Sequence, residues 1–132
     1  MDSRAALVRL KEFQIDTHRR KVAQIQTMVA EFERLAAELD REIRIEETRS
    51  GISDPAHFAY PTYAKAALQR RDNLRRSTAE LKQQLDAAKT ALAEAIEEFE
   101  TVAPDRQQPM ANTPADIDRA HDGASLDLNR AS

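Results

Sequence analysis

The chain has no cysteine, no tryptophan, only two glycines and only six aromatic residues among 132. Each scarcity excludes something. Without cysteine there is no disulfide scaffold, thiolate metal site or cysteine nucleophile. Two distant glycines, Gly51 and Gly123, cannot build a glycine loop that cradles phosphate. The aromatic content of 5%, set against 33% charged residues, leaves too little bulk for a thick globular core. No apolar run approaches the roughly 18 residues of a spanning helix. The opening MDSRAALVRLKEF lacks the apolar centre of a signal peptide. A cytoplasmic protein with no direct membrane insertion is expected. A net charge of −3 favours no polyanionic partner, and nucleic-acid binding, which needs a basic excess on one face, is not expected.

The chain is instead rich in Ala, Glu, Lys, Leu and Arg, the composition of long helices. Alternating spacings of three and four pick out Val8, Lys11, Ile15, His18, Val22, Ile25, Val29, Phe32, Ala36, Leu39, Ile43 and Glu46, nine of them apolar. A matching row runs through Ala64, Ala67, Arg71, Leu74, Thr78, Leu81, Leu85, Ala88, Leu92, Ala95, Phe99 and Val102, ten of them apolar. Each is the a/d seam of a helix that packs along one partner stripe. The spacing predicts helices over about 3–50 and about 62–102, the first a rod of roughly 70 Å. Ser3 can cap the first helix, and Gly51 suits the left-handed position after it. Pro61 suits the first turn of the second helix, and Pro104 its end.

Charge sets the direction of pairing. Residues 1–24 carry +3, 25–50 carry −3, 62–82 carry +4 and 83–103 carry −4. An antiparallel arrangement sets opposite blocks side by side, and the short connector requires it. The predicted fold is therefore all-α: an antiparallel two-helix coiled-coil hairpin over 1–103. A proline-rich tail, 104–132, is expected to be disordered.

No catalytic constellation emerges. His18, His57 and His121 fall on separate segments, and His18 is a seam position. No spacing matches a metal site. Carboxylate pairs such as Glu46-Glu47 and Glu97-Glu98 lie on solvated helix, without a pocket to perturb them. No enzymatic activity, cofactor or metal is expected.

Three stretches exceed what a hairpin needs. SGISDPAHFAYPTYAKA, residues 50–66, joins the helices but concentrates Phe58, Tyr60 and Tyr63. These aromatics either cap the end of a thin core or form a contact surface. QRRDNLRR, residues 69–76, clusters Arg70, Arg71, Arg75 and Arg76. It either answers the acidic residues near Glu38, Asp40 and Glu42 or meets an acidic partner. At the start, Leu7, Leu10 and Phe13 lie beside the seam. They either wrap around the end of the second helix near Ile96 and Phe99 or form an exposed strip. The off-seam Met28, Leu35, Ile45 and Leu68 raise the same choice. A lone hairpin buries little surface and is marginal by itself, so binding or self-association is expected.

The early ALVRLKEFQIDTHRRKVAQI, the matched KAALQRRDNLRRSTAELKQQLDAAKTAL and the connector SDPAHFAYPTYA together resemble the FliJ family of flagellar export proteins, in its alphaproteobacterial form, over roughly residues 1–103. The resemblance implies a coiled coil similar in shape to the central stalk of rotary ATPases. It implies a non-enzymatic component of the flagellar type III export apparatus, peripheral at the inner membrane. There it would insert its open end into the hexameric export ATPase, stimulate it, and contact the export-gate membrane protein and export chaperones. By position, the ATPase contact falls to Arg4, Leu7, Arg9, Leu10 and Phe13. The gate or chaperone contact falls to Phe58, Tyr60, Tyr63, Arg70, Arg75 and Arg76. Two alternatives fit the same hairpin. One is an adaptor that sequesters a cytosolic partner, such as a suppressor of a heat-shock sigma factor. The other is a structural coiled coil that self-associates.

Overall fold

The computed structural model describes residues 2–103; the tail expected to be disordered, with His121, lies outside the described residues. Those residues form two helices, α1 (Ser3–Ser50) and α2 (Thr62–Val102), and no strand. The fold is all-α, and the helices pack against each other through the two predicted seams. All twenty-four seam positions are buried or half-buried. Outside them, only Tyr60 and Ala103 are buried among the described residues. The described residues divide into two compact units, 17–92 and 2–16 with 93–103, and both helices contribute to each.

In the unit Thr17–Leu92, one apolar cluster joins Ile25 and Val29 to Leu81 and Ala88, with Val22, Phe32 and Leu85 packed against it. A second joins Leu39 and Ile43 to Ala67, with Leu68 and Leu74 alongside. Rising numbers in α1 meet falling numbers in α2, so the packing here is antiparallel. The ion pairs follow from that direction. With Val8 and Ala64 taken as a positions, an antiparallel pair sets e against e and g against g across the seam. Glu33 and Lys82, both e, meet at 3.0 Å, and Asp40 and Arg75, both e, at 2.8 Å. Tyr63 and Glu42, both g, share a hydrogen bond. Arg71, a cation at a core a position, donates to Asp40 at 2.8 Å. Thr78 turns its hydroxyl back to the Leu74 carbonyl at 2.8 Å, so its burial leaves no unmet polar group.

In the other unit the buried side chains are Val8, Ile15, Ala95, Phe99 and Ala103, and Phe99 is wholly enclosed. Lys11, at a seam position, reaches Glu98 at 3.0 Å, which is again an antiparallel contact. The start of α1 corrects one expectation. Asp2, not Ser3, is the cap: its Oδ1 accepts the Arg4 N–H at 3.0 Å and its carbonyl accepts that of Ala6. A carboxylate is also the better partner for the positive end of the helix. At the far end of α2, the Ala103 N–H closes on the Phe99 carbonyl at 2.9 Å.

The connector is built from consecutive turns. Gly51 ends α1 at φ 75°, its N–H on the Glu47 carbonyl at 2.9 Å, a conformation an L side chain adopts only with strain. Asp54 closes a turn through its carbonyl to the His57 N–H and through Oδ1 to the Ala56 N–H, both at 3.0 Å. His57 repeats the device: its carbonyl accepts the Tyr60 N–H and its Nδ1 the Ala59 N–H. Pro61 sits one residue earlier than expected, immediately before α2, where its carbonyl accepts the first helical N–H, that of Lys65.

Candidate interaction surfaces

At the start of α1, Val8 and Ile15 face the seam, which turns the neighbouring stripe outward. Arg4 and Arg9 are exposed. Leu7, Leu10 and Phe13 are 40%, 50% and 62% exposed. Of the two arrangements open for these apolar residues, the structure takes the exposed strip. Phe99 is enclosed without their burial, because a two-helix contact covers only a narrow stripe of each helix.

The aromatics of the connector divide. Tyr60 was a candidate contact residue, and its placement is a correction: it is buried, with its hydroxyl donating to Glu47 Oε2 at 2.7 Å. It belongs to the packed end of the hairpin and offers a partner almost no surface. Burial, then the hydrogen bond to the Glu47 carboxylate and its charge, pushes the Tyr60 pKa up to about 12. Tyr63 is half-exposed, and its hydroxyl is held by Glu42, which raises its pKa in the same sense. Phe58 is 96% exposed and stacks on His57 at 4.8 Å between ring centroids. The turns that hold residues 54–60 fix where this ring is presented.

Tyr60 makes a test of the alkaline limb. Its neutral form is favoured in the folded state, so this contribution is full below the unfolded value near about 10. It is lost as pH rises through about 12. The chain has two tyrosines. A near-ultraviolet tyrosinate titration should show both ionising at about pH 10 in denaturant and both at higher pH in the native protein. Tyr60→Phe should remove the later of the two native steps. Coincident native and denatured curves would contradict the buried placement.

The arginine cluster also divides. Arg71 and Arg75 both engage Asp40, at 2.8 Å each. Arg76 is held by Asn73. Arg70 is exposed and lines a shallow hollow of about 180 Å³ with Glu42, Tyr63 and Leu74. Asp40 has opposing influences: burial alone would raise its pKa. The hydrogen bond from Arg71 and the charges of Arg75, Arg71 and Arg44 outweigh burial and hold it below the usual carboxylate range. The same hydrogen bond raises Arg71. Two of the four arginines, Arg71 and Arg75, therefore tie the helices together, and Arg70 faces outward with no ion pair among the described residues.

Among the described residues, no group of three His, Cys, Asp or Glu side chains is placed to hold a metal ion. No helix among them is long and apolar enough to cross a membrane. Set against known protein families, curated proteins and solved structures, the chain matches none.

Of one further surface, only Ile45 stands out in the sequence, as an off-seam apolar residue. Arg41, Arg44, Ile45, Thr48 and Arg49 line a depression of about 470 Å³ on α1. Assigning every heptad position, not the seam alone, brings it out: Arg41, Arg44, Ile45 and Thr48 are f, b, c and f, the side of the helix farthest from its partner.

Proposed function

We propose that this protein is a non-enzymatic component of the flagellar type III export apparatus. It binds and stimulates the hexameric export ATPase at the inner membrane and links it to the export gate and its chaperones. The observation that carries the reading is the exposed strip of Leu7, Leu10 and Phe13 flanked by Arg4 and Arg9. An apolar stripe with cations beside it, on a helix stiffened by packing, is what one anchor of a protein interface requires. The resemblance to the FliJ family supplies the partner. The protein contributes no reacting group. It acts by binding one state of the ATPase more tightly than another, which shifts the population toward that state.

Adding the purified full chain to the export ATPase should raise the rate of ATP hydrolysis in a saturable way. Replacing Leu7 and Leu10 together by alanine should weaken the half-saturating concentration about tenfold, as loss of two interface anchors does, with little change in melting. An unchanged hydrolysis rate at saturating protein would reject the reading.

A further inference from the structure

The outward face of α1 near its C-terminal end separates charge by direction. Residues 25–50 carry −3, yet the acidic side chains there turn toward α2, the connector or their own helix. Asp40 takes Arg71 and Arg75, Glu42 takes Tyr63, Glu47 takes Tyr60, and Glu46 takes Arg49. What remains outside is Arg41, Arg44, Ile45 and Thr48, all exposed, with Ile45 at 55%, and the Glu46-paired Arg49 lies at their edge. Ordinary solvated arginine on this helix looks different. Arg34 is bracketed by Glu31 at 2.7 Å and Glu38 at 2.5 Å. Arg41 has no ion pair among the described residues, and Arg44 acts only as a through-space charge on Asp40. A second hollow, of about 290 Å³, shares Arg44 and Thr48 and continues to Gly51 and Ser53. The surface thus runs without a break from the helix into the connector.

We infer that this face docks an acidic amphipathic helix of a partner protein. The Arg41 and Arg44 guanidinium groups lie about one turn apart, and the face they share with Ile45 and Thr48 spans about two turns of helix. Carboxylates spaced three and four residues apart on an α-helix meet that repeat, and each guanidinium can fork onto one of them. Ile45, with the Thr48 methyl beside it, gives an apolar residue of the partner a seat between the charges. Glu46 and Glu47 border the face, which disfavours a continuous polyanion such as a phosphate backbone or an anionic bilayer. A helix with carboxylates only where the arginines lie avoids both. The inference stands apart from the ATPase reading, because it rests on a different unit and a different part of α1.

The test uses a fluorescein-labelled, side-chain-stapled peptide with leucine along one stripe and glutamate on both flanks. It is titrated with the full chain at physiological salt and followed by fluorescence anisotropy. Saturable binding is expected, weakened about tenfold by Arg41→Gln with Arg44→Gln and about tenfold by Ile45→Ser. Lys89→Gln, exposed elsewhere on the same unit, should leave it unchanged. Circular dichroism should show the variants melting with the parent, since none of these side chains is buried. Equal affinity for parent and variants would overturn the proposal. So would flotation of the parent with phosphatidylglycerol vesicles that the same substitutions abolish, or a dimer in sedimentation that Ile45→Ser dissociates.

Discussion

Phe99→Ala is expected to cost about 3–5 kcal/mol, the range for emptying a buried aromatic site. Phe58→Ala should change stability by less than about 0.5 kcal/mol, as exposed substitutions do. The two phenylalanines are the extremes of exposure here, at 0% and 96%. Among the described residues, the unit that holds Phe99 has only Val8, Ile15, Ala95 and Ala103 beside it as buried apolar side chains. The loss is therefore comparable with everything that holds this unit together, given the few kcal/mol that a small core supplies. Amide hydrogen exchange read residue by residue should show protection lost over 93–102 in the Phe99 variant and retained in the Phe58 variant. Full protection over 93–102 in Phe99→Ala would contradict the packing described here.

Asp40→Ala is expected to be the most damaging change to a polar residue, at about 1–3 kcal/mol. It leaves Arg71, a seam cation whose side chain is 20% exposed, without its interhelical partner, and it strips Arg75 of the same carboxylate. Arg75 is 55% exposed, and water compensates most of its loss; the cost comes mainly from Arg71. Asp40→Asn keeps the shape and removes the charge, so it should recover part of the loss through one hydrogen bond. The pH dependence has a definite sign. Because the folded-state pKa of Asp40 lies below its ordinary value, its contribution is complete above the unfolded value. It disappears as pH falls through the folded one. The difference in denaturation midpoint between the parent and Asp40→Asn should therefore be constant near neutrality and shrink below about pH 4. A difference that persists undiminished into stronger acid would show that the ionised carboxylate is not what holds the two arginines.

Most of this fold was legible in the sequence because a long two-helix contact repeats one local rule. The spacing of Val8 through Glu46 and of Ala64 through Val102 named every position that the packing fully buries in the two helices. The left-handed Gly51 and the proline before Thr62 mark the breaks. The cap at Asp2 was less legible. Asp2 and Ser3 are both good cap residues in succession, and only the backbone geometry chooses between them.

The surfaces were legible as residue types but not as roles. QRRDNLRR is one cluster in the sequence. In the structure Arg71 and Arg75 turn to Asp40, whereas Arg70 faces water, because adjacent residues on a helix point about 100° apart. Tyr60 and Phe58 are two residues apart in one aromatic stretch, yet one is buried on Glu47 and the other stands outside. No periodic rule governs a connector of successive turns, so nothing local assigns those directions.

By itself, then, the sequence determined two helices, their seams, their antiparallel sense and the place of the turn, all consequences of backbone period and charge order. Only the tertiary structure decided which charges the fold consumes and which it leaves outside. That division depends on which carboxylates come within reach of a cation or hydroxyl across the seam, a property of two helices in register and of neither alone. It is why the acidic half of α1 presents an arginine face to the solvent.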